Sequence, residues 1–159
     1  MFKMTRTYTD YNGTKRTGDF YFNLNEAEII EMQIGTVGGF AETIERIIKA
    51  NNEAELMRIF KELVLKAYGE KTPDGMQFMK VDENGRPLSI KFSQTPVYSD
   101  IFMELATNAK TASEFVNGII PGNIDKNKLE EKRKEIMSEI GSAEDSKNNF
   151  SVVSSSTNE

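Results

Sequence analysis

The clearest periodicity in the chain lies in residues 53–67. Leu56, Ile59, Phe60, Leu63, Val64 and Ala67 recur at helical spacing, while Glu55, Arg58, Lys61, Glu62 and Lys66 fall on the opposite side. That pattern predicts an amphipathic helix, capped by one of Asn51 and Asn52. A second run opens at Thr95-Pro96, in the cap-then-proline order, and places Tyr98, Ile101, Phe102, Leu105, Ala106 and Ala109 on one stripe. Thr111 and Glu114 then predict a capping box leading into Ala112, Phe115, Val116 and Ile119, stopped by Pro121-Gly122. Residues 40–50 predict a shorter helix on Phe40, Ile44, Ile47 and Ile48. Met57, Leu65 and Met103 stand beside the stripes, and are the candidates for apolar contact with a partner.

The first 24 residues follow a period of two instead. Thr5, Thr7, Tyr8, Thr9 and Tyr11 favour a strand, Asn12-Gly13 is a hairpin turn signal, and residues 14–22 return. Alternation puts Phe20 and Phe22 on one face, in the core. Asn25 and Glu28 then approximate a capping box, with Leu24 and Ile29 as its hydrophobic staple, for a first helix ending near Gln33. Residues 35–39 (Gly-Thr-Val-Gly-Gly) lack the Gly-Lys-Ser/Thr ending of a phosphate loop and predict a hinge. Tyr68-Gly69 is expected to end the long helix, Pro73-Asp74-Gly75 to turn, residues 78–81 to form a short strand and residues 82–87 a loop. Asp82, Asn84 and Gly85 superficially suggest a calcium loop, but the first ligand and the closing Glu are missing. The expected fold class is α+β, predominantly α: an N-terminal β-hairpin packed on a bundle of about five short helices.

Character changes after Gly122. Asp125 can cap a helix to about Ile140, but residues 126–135 are dominated by charge. Only Leu129, Ile136, Met137 and Ile140 of that helix are apolar, with Glu130 and Lys134 as one i,i+4 pair. It reads as a solvated helix or as an arm that orders on a partner, with Leu129, Ile136 and Met137 as its candidate contacts. Ser, Asn, Thr and acidic residues prevail from Ser142 on, and disorder is expected there. The implied division is a core domain at 1–122, a charged helical arm at 123–141 and a disordered tail at 142–159.

Composition narrows the chemistry. The 159 residues hold 38% hydrophobic side chains, enough for one core, and a net charge of −5 with the basic residues spread out. A duplex-binding protein shows a basic field, so no nucleic-acid partner is expected. Cysteine and histidine are both absent. Disulfides are excluded, and zinc, haem and iron–sulfur ligation lose their usual donors, so no cofactor is expected. No run of about 18 apolar residues appears, and residues 1–10 lack a signal-peptide stretch, so no membrane partner is expected. Proton transfer near neutral pH falls to carboxylates or lysines. Glu26, Glu28 and Glu31 share the first helix, but no nucleophile motif, Walker sequence or dinucleotide fingerprint accompanies them. An enzyme is not indicated.

Several stretches have the character of words. Tyr8-Thr-Asp-Tyr-Asn-Gly13, Asp19-Phe-Tyr-Phe-Asn-Leu-Asn25, Arg58-Ile-Phe-Lys-Glu-Leu63 and Ala67-Tyr-Gly-Glu-Lys71 resemble the tail assembly chaperones of long-tailed bacteriophages. So do Phe92-Ser-Gln-Thr95, Tyr98-Ser-Asp-Ile-Phe-Met-Glu-Leu-Ala106 and Phe115-Val-Asn-Gly-Ile-Ile-Pro121. The likeness runs from Thr7 to Pro121, fits less well at residues 82–90 and hardly extends past Gly122. It implies a factor of the host bacterial cytoplasm that binds and solubilises the tape measure protein and helps recruit tail tube subunits. Such a factor is absent from the mature virion, and self-association is compatible with it. The alternatives are a structural tail or head–tail connector protein, and a regulatory factor binding DNA or a host protein.

Overall fold

The computed structural model describes residues 1–35, 39, 49, 53–121, 131, 134 and 138. The N-terminal hairpin forms as its alternation predicts, from β1 (Phe2–Thr9) and β2 (Lys15–Phe22), antiparallel with Phe2 opposite Phe22 and Met4 opposite Phe20. Its turn is closed by Asp10. One carboxylate oxygen accepts the N–H groups of Asn12 and Thr14 at 2.9 Å each, and Gly13 takes the left-handed φ of 80° that the turn requires. The capping box also forms as expected. Asn25 Oδ1 accepts from Glu28 N, Glu28 Oε2 accepts from Asn25 N, both at 2.9 Å, and α1 runs over Glu26–Gly35. Leu24 and Ile29, the two sides of the staple, are both buried.

The expected predominantly helical bundle is overturned. The hairpin is half of a four-stranded antiparallel sheet in the order β1-β2-β3-β4. Helix α2 (Glu53–Ala67) runs without a loop into β3 (Tyr68–Lys71), which pairs with β2 through Tyr21–Gly69 and Phe22–Tyr68. β4 (Phe78–Met79) pairs with β3 in turn, and an isolated bridge joins Val81 to Pro87. Tyr68-Gly69 therefore ends the helix as predicted but begins a strand. Gly69 suits this position because a Cβ there would lie 2.5 Å from the Phe78 ring and 2.7 Å from the Met79 carbonyl oxygen.

Three further helices cover one face: α3 (Leu88–Ser93), α4 (Pro96–Thr107) and α5 (Ala109–Ile119). α3 had no counterpart among the expected elements, and the helix expected at residues 40–50 lies almost wholly outside the described residues. Pro96 opens α4, but Thr95 Oγ donates backward to Phe92 O at 2.6 Å instead of capping the helix. The capping box expected at Thr111 and Glu114 does not start α5. Asn108 starts it three residues earlier, its Oδ1 accepting from Lys110 N and Thr111 N, while its own N–H closes α4 on Glu104 O. A cap must stand where the chain changes direction, and that corner is at Asn108.

The core is largely aromatic. Phe22, fully buried, meets Tyr68, Phe92 and Phe115 at ring-centroid distances of 5.8, 5.9 and 5.3 Å. Tyr68 lies flat on Phe92 at 4.0 Å with 5° between the planes. Val97, Ile101, Leu105 and Ile119 complete the layer from the helical side. Phe20 and Phe22 do share the inner face, as their alternation predicted.

Candidate partner-binding surface

Each side chain put forward for a partner follows from its place on its helix. Along α4, Val97, Ile101 and Leu105 repeat every four residues and are buried; Met103, two positions past Ile101, is turned outward and stays 52% exposed. On α2, Leu63, Val64 and Ala67 are buried, Met57 is half-buried, and Leu65 is drawn against the core. The three candidates thus lie on two helices in unlike settings, and Met103 is the exposed one. Leu129, Ile136 and Met137 lie outside the described residues.

Other exposed apolar residues escaped the sequence reading. Met76, Met79, Val81 and Ile90 are 83%, 39%, 52% and 51% exposed, along the second hairpin and α3. The exposure of Met79 and Val81 follows from an inverted alternation in residues 78–81. Phe78 turns toward Gly69, and Lys80 turns the same way, its ammonium 5.9 Å from the Phe78 ring. Met79 and Val81 are left on the outer side. The usual rule of charge outside and apolar inside points the wrong way at Met79, Lys80 and Val81. The only advance signal was that Lys80 interrupts an apolar pair.

Lys80 tolerates this position because it is paired. Its Nζ donates to Glu28 Oε1 at 2.6 Å and to the Lys66 carbonyl at 3.0 Å, tying α1, the end of α2 and the β4 segment together. Burial nonetheless holds its pKa below the usual lysine range, against the opposing pull of Glu28. Glu28 is therefore engaged on both oxygens, one by the cap and one by Lys80. Glu31 points outward, 72% exposed and 4.0 Å from Lys66. On the opposite edge, Arg6 reaches inward to Glu104 of α4 and also donates to the Thr5 carbonyl at 2.9 Å.

Asp82 repeats the arrangement at Asp10. Its Oδ1 accepts from Asn84 N and Arg86 N at 2.9 Å each. Both carboxyls are held below the ordinary range, Asp10 chiefly by Arg16 and Asp82 chiefly by the Arg86 amide. The residues that suggested part of a calcium loop thus form a turn. Among the described residues no three acidic side chains gather as metal ligands, and no helix is long and apolar enough to cross a membrane. The described surface offers contact, through apolar side chains held on a rigid frame, and an open strand edge at β1.

Comparison with curated proteins gave no match, and comparison with solved structures gave none either. A family model described as phage tail assembly chaperone matches residues 1–159, which extends the likeness past Gly122 to the whole chain. The chain belongs to the phage tail assembly chaperone family.

Proposed function

We propose that this chain binds the tape measure protein of a long-tailed phage in the host cytoplasm, keeps it soluble while the tail tube polymerises, helps recruit tube subunits, and is then released. It makes or breaks no covalent bond in doing so. The observation that carries the reading is the family match over the full length. The physics supports it: a long helix-rich protein with uncovered apolar surface aggregates before the tube encloses it. Adaptable side chains such as Met76, Met79 and Met103, exposed on a frame fixed by aromatic packing, suit weak and repeated contacts with such a chain. The separate arm at 123–141, with Leu129, Ile136 and Met137, belongs to the same proposal. Co-expression with the adjacent tape measure protein tests it. The tape measure should become soluble and co-purify with several copies of this chain; a tape measure that stays insoluble and unaccompanied contradicts the proposal.

One observation favours a second reading, a structural tail or head–tail connector protein. The sheet has four strands where the sequence predicted a hairpin and one short strand, and permanent tail structures rely on extensive β-sheet. Stoichiometric presence in purified particles decides for that reading.

A further inference from the structure

The backbone bonding of the first hairpin shows which groups of β1 are free. Asp10 donates its N–H to Thr14 O at 2.9 Å, so the even residues of β1 turn their N–H and C=O groups toward β2. The odd residues Lys3, Thr5, Thr7 and Thr9 turn theirs away. All four are exposed, and among the described residues no strand lies beside them. The Thr5 carbonyl accepts from the Arg6 guanidinium at 2.9 Å and keeps a second lone pair. Proteins usually guard such an edge with free lysines, a proline or a bulge. β1 has neither proline nor bulge, since its eight residues pair with β2 without interruption. Its cations are bound within the fold, Lys3 to Asp19 at 2.8 Å and Arg6 to Glu104 of α4. The edge is open and locally neutral.

An antiparallel strand added there must set its own outward-bonding residues against these odd ones, and β1 meets that demand with itself. A two-fold axis through Thr5 puts Thr5 opposite Thr5 and Lys3 opposite Thr7 on the exposed face. On the core side Phe2 then meets Tyr8 and Met4 meets Arg6, so no like charges are opposed. Phe2 already packs on Phe115 at 5.5 Å and Tyr8 on Phe20 at 6.1 Å, yet both are only partly buried. Pairing each Phe2 with the Tyr8 of the other copy joins the two aromatic cores across the seam. The neighbouring registers are worse. Centring on Arg6 opposes two arginines, and centring on Thr7 sets the buried Met4 against Asp10. Centring on Met4 leaves Tyr8 and Thr9 with no opposite residue. A foreign strand would need the same aromatic spacing to cover Phe2 and Tyr8, and a second copy brings it. We infer that the open edge of β1 takes β1 of a second copy, antiparallel about Thr5, so that two four-stranded sheets become one. Such a dimer presents the exposed Met76, Met79 and Met103 twice, and contacts weak in one copy act jointly. The inference goes beyond the chaperone reading and does not depend on it.

The purified full chain, with no other protein present, tests the inference. Sedimentation velocity across a concentration series should show a reversible monomer–dimer equilibrium. Thr7→Pro removes an outward N–H and leaves the β1–β2 ladder intact, and the two-fold axis makes that loss count twice. It should raise the dimer dissociation constant at least about tenfold. Thr7→Ala is the control: it loses the bond to Thr17 Oγ but keeps the N–H, and should stay close to wild type. The chain has no cysteine, so single cysteines report the register. Residues paired across the axis have Cα atoms about 5.5 Å apart, within reach of a short bismaleimide for Thr5→Cys. The two copies of Thr9→Cys would stand roughly 27 Å apart along the strands, out of its reach. Cross-linked dimer should therefore form with Thr5→Cys and not with Thr9→Cys. A wild type that stays monomeric throughout, a dimer that Thr7→Pro leaves intact, or equal cross-linking at both positions overturns the inference. So does a melting temperature that, under dilution to monomer, falls in Thr7→Pro and not in Thr7→Ala, because it assigns the edge to another part of this chain.

Discussion

Replacing Tyr68 by Phe removes one oxygen and keeps the ring that stacks on Phe92 at 4.0 Å. That oxygen has a measurable consequence at high pH. Burial, aided by the nearby Glu70 carboxylate, pushes the hydroxyl from 10.0 up to about 12. The folded chain therefore holds this proton more tightly than the unfolded chain does. A pKa raised by folding contributes stability that is complete below the unfolded value and is lost as pH climbs through the folded one. With about 1.4 kcal/mol per unit, the loss is roughly 1.4 kcal/mol at about pH 11 and approaches about 2.7 kcal/mol above pH 12. Urea unfolding of wild type and Tyr68→Phe at a moderately alkaline pH and near pH 11 isolates this contribution, since Lys80 and Tyr98 titrate in both proteins. The wild type should lose about 1.4 kcal/mol more than Tyr68→Phe between the two conditions. Burial also pushes the Tyr98 hydroxyl upward, so tyrosinate absorbance of the variant should lose one late-ionising hydroxyl and keep that of Tyr98. Identical alkaline losses in the two proteins would refute the burial of Tyr68 in the sheet, and with it the continuation of α2 into β3.

Three other substitutions probe the fold. Phe22→Ala empties the fully buried contact with Tyr68, Phe92 and Phe115 and should cost about 3–5 kcal/mol in urea unfolding; a cost under about 1 kcal/mol would place Phe22 elsewhere. Asn108→Ala should cost about 1 kcal/mol by removing the cap of α5, while Thr111→Ala stays within about 0.5 kcal/mol, and the reverse order would restore the capping box at Thr111. Gly69→Val forces a side chain into the Phe78 ring and the Met79 carbonyl, so amide exchange at Met79 and Glu70 should accelerate while β1 and β2 stay protected.

What was legible in the sequence was local. The Asn12-Gly13 turn, the reciprocal bonds of Asn25 and Glu28, and the buried Leu63, Val64 and Ala67 all depend on residues within a few positions of one another. β3 escaped because four residues carry too little alternation, and its partner Phe22 is distant in the chain. α3 escaped for a similar reason: six residues behind Pro87 give no full helical repeat. Missing these two elements made the chain look like a helical bundle. The surface was harder to read. Standing beside a helical stripe leaves Met103 exposed but not Leu65, because α2 is flanked by core on more than one side. Met79 and Val81 were hidden by the half-buried Lys80, whose two acceptors come from α1 and α2.

Temporary service to another chain is the centre of the account, and particle composition tests it most directly. Phage particles purified to constant composition, with the tail tube subunit as internal standard, should hold far less than one copy of this chain per particle. The lysate of the same infection should contain it abundantly, in complex with unassembled tape measure protein. A fixed, whole-number count of this chain in every finished particle would contradict the account and make it a component of the tail.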